Sequence, residues 1–166
     1  MPDLLALVRG LPKGLCGVVF RHDAAADRAA LGAALARLCR ARRIALAVAG
    51  DARVAAALQA GQHWRAGRRF WVKPHPRRWV TASAHNPREV LRARRAGAAA
   101  VFCSPVLSTA SHPGARVLGG YGFRRLAAFS GAAKAYALGG IAGRSVRLLG
   151  KTCAGIGAID AFLPRK

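Results

Sequence analysis

The chain alternates short, continuous apolar runs with longer stretches in which apolar residues recur at helical spacing. Residues 16–21, 44–49, 79–84, 98–103, 135–138 and 153–159 are runs of the first kind, and residues 60–64 form a shorter one. Runs of this length, bounded by turn-forming residues, predict buried strands. Between the first two, Leu31, Leu35, Leu38 and Cys39 fall on one helical face, and Asp23 stands where an N-cap would start that helix. Asp51 is placed to cap a helix running to Leu58. Asn86-Pro87-Arg88-Glu89 predicts a helix start with an N-cap, a first-turn proline and a returning acid, and Gly97 predicts its stop. Helices are also expected over residues 121–129 and 145–149, and residues 1–14 read as a helix left from a first βα unit.

About seven strands alternating with helices imply a parallel sheet covered by helices. A (β/α)8 barrel needs eight strands and usually about 200 residues or more, whereas this chain has 166. The expectation is therefore a TIM-barrel-like α/β fold, compact or incomplete, with its first strand lacking or altered unless the true start lies upstream. No internal repeat or linker interrupts it, so residues 1–166 read as one domain.

Composition changes this picture in three ways. Hydrophobic residues make up 53% of the chain, which argues against disorder. No apolar run approaches the roughly 18 residues of a membrane span, and the N-terminus lacks the pattern of a secretory signal. Cys16, Cys39, Cys103 and Cys153 show no C-x-x-C spacing and lie mostly in apolar runs. Buried thiols in a reducing, cytoplasmic setting are the expectation.

The charge is lopsided, with 28 Lys and Arg against 6 Asp and Glu for a net +22. A nucleic acid, a phosphorylated small molecule or plain decoration of solvent faces would each account for it. Most of the cations are spread over helices and loops. Residues 65–79 differ, because Phe70, Trp71 and Trp79 stand among cations there. That segment reads either as a base-stacking platform or as a surface connection whose aromatics anchor to the core.

The candidate chemistry gathers at predicted strand ends. Asp23, Asp51 and Asp160 each follow a strand, as do His22, His85 and His112, and in a parallel barrel that end carries the active site. Carboxylates there can hold a hard cation such as Mg²⁺, and Asp23 and Asp51 can equally serve as helix caps. The run Ser104-Pro105-Val106-Leu107-Ser108-Thr109-Ala110-Ser111-His112 follows a strand, and Gly139-Gly140-Ile141 follows the next one. Such loops offer N–H groups and hydroxyls to an anion. Taken alone, they are also adequate tight turns.

With Ser83-Ala84-His85 upstream, these blocks resemble the thiamine phosphate synthase and TenI-like thiazole tautomerase superfamily. Its patterns read S-x-H, then G-P-x-x-x-T-x-[ST]-[KH], then G-G-I. The resemblance runs most clearly over residues 80–162. It implies a TIM barrel and an enzyme that joins a pyrimidine diphosphate to a thiazole phosphate with Mg²⁺ in thiamine biosynthesis. It implies catalytic roles for Ser83, His85 and His112, contacts to substrate or phosphate by Arg21, Thr109, Ser111, Gly139 and Gly140, and metal ligation by Asp51. Several positions depart from the family's pattern. Val19 replaces its glutamine, Asp23 its lysine, Gly50 the first residue of its metal pair and Arg68 its second metal acid, while Asp160 stands where a phosphate is expected. The first four departures fit a tautomerase-like or thiazole-phosphate-binding protein, with His85 as acid and base near neutral pH, whereas the charge of Asp160 opposes unmodified phosphate binding. A basic nucleic-acid-binding module is the alternative from another class.

Overall fold

The apolar runs become strands because their β-branched and small residues pack from both faces, as parallel sheets require. The computed structural model describes residues 3–23, 27–67, 79–109 and 114–158. These divide into two compact units. Unit 1 takes the described residues up to 63 together with 79–80, and unit 2 takes 64–67 and 81–158.

Unit 1 holds, in chain order, β1 (Gly17–Phe20), β2 (Ala45–Ala49) and all but the last residue of β3 (Gly61–Trp64). β1 pairs parallel with β2 from Gly17↔Ala45 to Phe20↔Val48, and β2 pairs parallel with β3 from Ala47↔Gly61 to Ala49↔His63. Helices α1 (Leu4–Gly10), α2 (Arg28–Ala41) and α3 (Ala52–Ala57) accompany them. The expected stripe of α2 faces the core: Leu35 and Cys39 are buried, and Leu31 and Leu38 pack partly buried against the same cluster of Val8, Phe20, Ile44 and Val48. Each fully buried Leu or Phe contributes about 1.5–3 kcal/mol. Gly32 lets α2 approach closely, because a Cβ there would lie 3.0 Å from Leu58 Cδ1 and 3.3 Å from the Phe20 ring.

The N-terminal helix exists, capped by Asp3, whose Oδ1 accepts the Leu5 N–H at 2.9 Å. Asp51 caps α3 as its position predicts. The expectation for Asp23 is corrected. The residue at the start of α2 is Asp27, and Asp23 pairs with Arg28 instead. Trp79 is 38% exposed, and its indole lies across Gly61, where a Cβ would come within 2.6 Å of Cε2. It is thus an anchor against the backbone of β3. Phe70 and Trp71 lie outside the described residues.

In unit 2, β4 (Val80–Ala84), β5 (Ala100–Cys103), β6 (Lys134–Leu138) and β7 (Gly155–Gly157) follow in chain order, and each neighbouring pair is parallel. The register aligns Ser83, Phe102, Tyr136 and Gly155 across the four strands. The alternate residues Ala82, Ala84, Val101, Cys103, Ala135 and Ala137 are buried, while Ser83, Phe102 and Tyr136 are half-buried. Helices α4 (Pro87–Arg95) and α5 (Gly119–Ala127) contribute Val90, Ala93, Phe123 and Leu126 to this core. α5 begins two residues before the expected start, because Leu118 and Gly119 donate N–H bonds to the carbonyls of Pro105 and Val106 at 2.9 Å each. A 3-10 turn, Ala128–Ser130, continues it, and the expected helix at 145–149 is part of a 3-10 helix, Gly143–Leu149. Among the described residues no helix is long and apolar enough to cross a membrane.

α4 starts as its sequence predicts. Asn86 accepts the Glu89 N–H at 3.0 Å, and Glu89 Oε2 reaches back to accept the His85 N–H at 2.7 Å. Replacing Asn86 by Ala should cost about 1 kcal/mol, the usual worth of a side-chain N-cap. Chemical denaturation should register it as a lower midpoint with an unchanged slope.

All four cysteines are free. Burial, with Cys153 nearby, pushes the Cys103 thiol up to about 12, and burial also raises Cys39 against the opposing charge of Arg40. The thiolate is the reactive form, so at pH 8 Cys103 is almost wholly in its unreactive thiol form. Iodoacetamide should therefore modify the half-buried Cys16 and Cys153 in the native protein, and Cys39 and Cys103 only after denaturation. Peptide mass mapping separates the four sites.

Candidate functional site

Three successive strand ends of unit 2 bring the motif residues together. Ser83 is the penultimate residue of β4, and His85 follows that strand directly. The loop from Ser104 to Thr109 follows β5, and Gly139-Gly140 follows β6.

The second and third of these are joined through the backbone. Val106 donates to the Leu138 carbonyl and Leu107 to the Gly139 carbonyl, each at 3.0 Å. These bonds carry the chain past the end of the β5–β6 pair and lay the loop on the glycines. A Cβ on Gly139 would sit 3.1 Å from Pro105 Cα, and one on Gly140 would meet the Ser108 carbonyl oxygen and Leu107. Both glycines have positive φ, 97° and 66°, a region costly for residues with a side chain. Two independent demands therefore select glycine here. Ser108 and Gly140 are exposed beside this junction and Thr109 is half-buried.

The first strand end joins the second through His85. Its Nδ1 lies 2.6 Å from the Ser104 carbonyl oxygen and 3.3 Å from Ser104 Oγ. A carbonyl only accepts, so the contact selects the tautomer with the proton on Nδ1, in which the neutral ring has its lone pair on Nε2. Ser104 is buried while His85 is exposed, so a fixed residue orients a solvent-facing imidazole. Ser104 was not singled out as a site residue from sequence. The signal was its place in the G-P block, where serine stands in this chain and the family pattern has glycine.

Arg21 and Asp51 belong to unit 1. Arg21 is exposed just beyond β1. Asp51 Oδ1 accepts the N–H groups of Arg53 and Val54 at 2.9 and 3.0 Å, and Oδ2 lies 3.6 Å from Arg28 Nη1. Arg28 Nη2 lies 3.2 Å from Asp23 Oδ1. Ser111, His112, Arg68 and Asp160 lie outside the described residues.

Among the described residues, the donors around Asp51 do not fit Mg²⁺. The ion takes oxygens in near-ideal octahedral geometry, usually one or two carboxylates with substrate phosphates. Both Asp51 oxygens are committed, one to a helix start and one to a guanidinium. Among the described residues no three His, Cys, Asp or Glu side chains gather closely enough to hold a metal ion. Asp51, the residue expected to ligate the metal, serves here as a helix cap and an ion-pair partner.

With this geometry in view, the likeness to known proteins is specific. The sequence profile described as "Thiamine monophosphate synthase" matches residues 3–162. Among solved structures, a thiamine phosphate pyrophosphorylase from Pyrococcus furiosus is 27% identical with a TM-score of 0.82, over 96% of this chain and 81% of that one. A thiamine phosphate pyrophosphorylase from Bacteroides thetaiotaomicron is 18% identical with a TM-score of 0.59, over 94% and 74%. A structure titled as native KDPGal is 13% identical with a TM-score of 0.65, over 94% and 74%. The last two bear on fold alone, and the three together establish a TIM-barrel-like α/β fold, of which seven strands lie among the described residues. No curated protein matches at a significant level. The profile match over nearly the whole chain, carried by motifs that meet at adjoining strand ends, places this protein in the thiamine monophosphate synthase/TenI family.

Proposed function

We propose that this chain binds a thiazole phosphate in unit 2 and shifts a proton on it, with His85 as acid and base, in the manner of a thiazole tautomerase. One observation carries the reading: the hydrogen bond between His85 Nδ1 and the carbonyl of the buried Ser104, which holds an exposed imidazole beside the loop that meets Gly139-Gly140. The phosphate rests on backbone groups around Gly140 and on the hydroxyls of Ser108 and Thr109. Ser83, aligned with Phe102 and Tyr136, lies on the face that receives the ring. Nε2 accepts a proton from one carbon of the ligand and returns it to another, so no atom is gained or lost and no co-reactant is needed.

The synthase-like transferase is the second reading, and the 27% identity to the Pyrococcus furiosus pyrophosphorylase favours it. That reading needs a Mg²⁺–diphosphate half, for which the carboxylates of unit 1 are otherwise engaged.

Two experiments test the proposal. Incubated with a thiazole phosphate in deuterated buffer, the protein should catalyse proton exchange and isomerisation visible by NMR. His85→Ala should lower the rate about 10²–10⁴-fold, the range of a general acid–base group. Unchanged exchange in that variant removes His85 from the chemistry, and thiamine phosphate formed from both precursors with Mg²⁺ favours the synthase reading.

Gly140→Ala forces a Cβ against Ser108 and adds strain of about 1–3 kcal/mol. It should weaken the phosphorylated thiazole about tenfold or more, at about 1.4 kcal/mol per factor of ten, and leave the unphosphorylated alcohol unaffected. Equal weakening of both would show that Gly140 does not serve the phosphate.

A further inference from the structure

Unit 1 holds an arrangement that the reading above leaves unused. Arg28 opens α2, and its guanidinium is held from several sides. Nη2 lies 3.2 Å from Asp23 Oδ1 and donates to the Ala49 carbonyl at 3.4 Å. Nη1 lies 3.6 Å from Asp51 Oδ2, and Cζ sits 5.7 Å from the centroid of the buried Phe20 ring. Nε is buried and has no hydrogen-bond partner. Ala49 is the last residue of β2, Asp51 lies two residues beyond it, and Asp23 lies three beyond the end of β1. A fixed positive charge therefore stands among three oxygens of different residues at the ends of two adjacent strands.

Those three oxygens are hard donors of the kind a divalent cation takes. The guanidinium holds them without a binding equilibrium, since it is part of the chain. Its planar fork suits two carboxylates at once, and its weak hydration suits a place against an aromatic face. The Coulomb term of such half-exposed pairs is small, so geometry and packing on Phe20 keep the side chain there. Filling the site with a metal would require displacing Arg28 and leaving its charge without the acids that now neutralise it.

We propose that Arg28 is the resident cation of this strand-end site and keeps divalent metal out of it. The claim concerns unit 1 alone and holds whatever ligand unit 2 takes. Mn²⁺ is a suitable probe, because it prefers the same oxygen donors and its free form is read directly by electron paramagnetic resonance.

The intact wild-type chain should show no stoichiometric Mn²⁺ site at submillimolar concentration. Arg28→Gln should gain one site, bound about tenfold or more tightly than any in the wild type, as ligand charge count sets affinity. Adding Asp51→Asn to that variant should abolish the gain while keeping the cap, because Asn caps as well as Asp. Arg53→Gln, an equal loss of charge on exposed α3, should gain nothing. A wild-type site that Asp51→Asn removes would overturn the proposal, as would a folded Arg28→Gln with no new site. If Arg28→Gln does not fold, Arg28→Lys takes its place. An ammonium lacks the fork that spans both acids, so a folded Lys variant should still gain Mn²⁺ affinity, and the absence of any gain contradicts the claim.

Discussion

Two backbone hydrogen bonds, from Val106 to Leu138 and from Leu107 to Gly139, are what the candidate site of unit 2 depends on. They continue the β5–β6 pairing beyond the strands and turn an otherwise free loop into a fixed surface. They form only if the chains approach closely, and Gly139 and Gly140 supply that approach by lacking a Cβ. The carbonyls of Pro105 and Val106 then receive the first N–H groups of α5. One short loop thus sets the end of a strand pair, the start of a helix and the place where an anion would rest. His85 is tied to the same loop through Ser104, so the phosphate recognition and proton transfer proposed above would share one support.

The second organising constraint is the scarcity of acid. With six carboxylates against 28 cations, Asp3, Asp23, Asp51 and Glu89 each hold a structural contact. Asp3, Asp51 and Glu89 satisfy N–H groups at helix starts, where a negative charge also meets the positive end of the helix dipole favourably. Asp23 and Asp51 share Arg28. Carboxylates spent on capping and on a guanidinium are not available for a divalent ion. This accounting links the unusual charge of the chain to the metal-independent chemistry proposed for unit 2, without requiring that the surplus of cations itself be functional.

Much of this was legible in the sequence, for identifiable reasons. Short apolar runs marked strands because parallel strands are covered on both faces. The α4 start was readable residue by residue because capping is local, and the glycine pair was readable because few residues tolerate that turn. Asp23 was misread because a cap is decided by which residue the helix begins after, and Asp27 competes for that place four residues later. The partner of Asp51 was invisible for a different reason: Arg28 is 23 positions away and meets it only through the β1–β2 pairing. Ser104 escaped notice because its contribution is a main-chain carbonyl, which no residue type announces. The early end of the last strand, at Gly157, likewise reflects tertiary pairing with Leu138 rather than local preference.

The central claim is that the loops of unit 2 hold a phosphorylated thiazole without help from a metal. Calorimetric titration of the intact protein with a thiazole phosphate, once in EDTA and once in Mg²⁺, tests it most directly. The account predicts saturable one-to-one binding in EDTA, with an affinity and enthalpy that Mg²⁺ leaves unchanged. Binding that appears only when Mg²⁺ is present would contradict it.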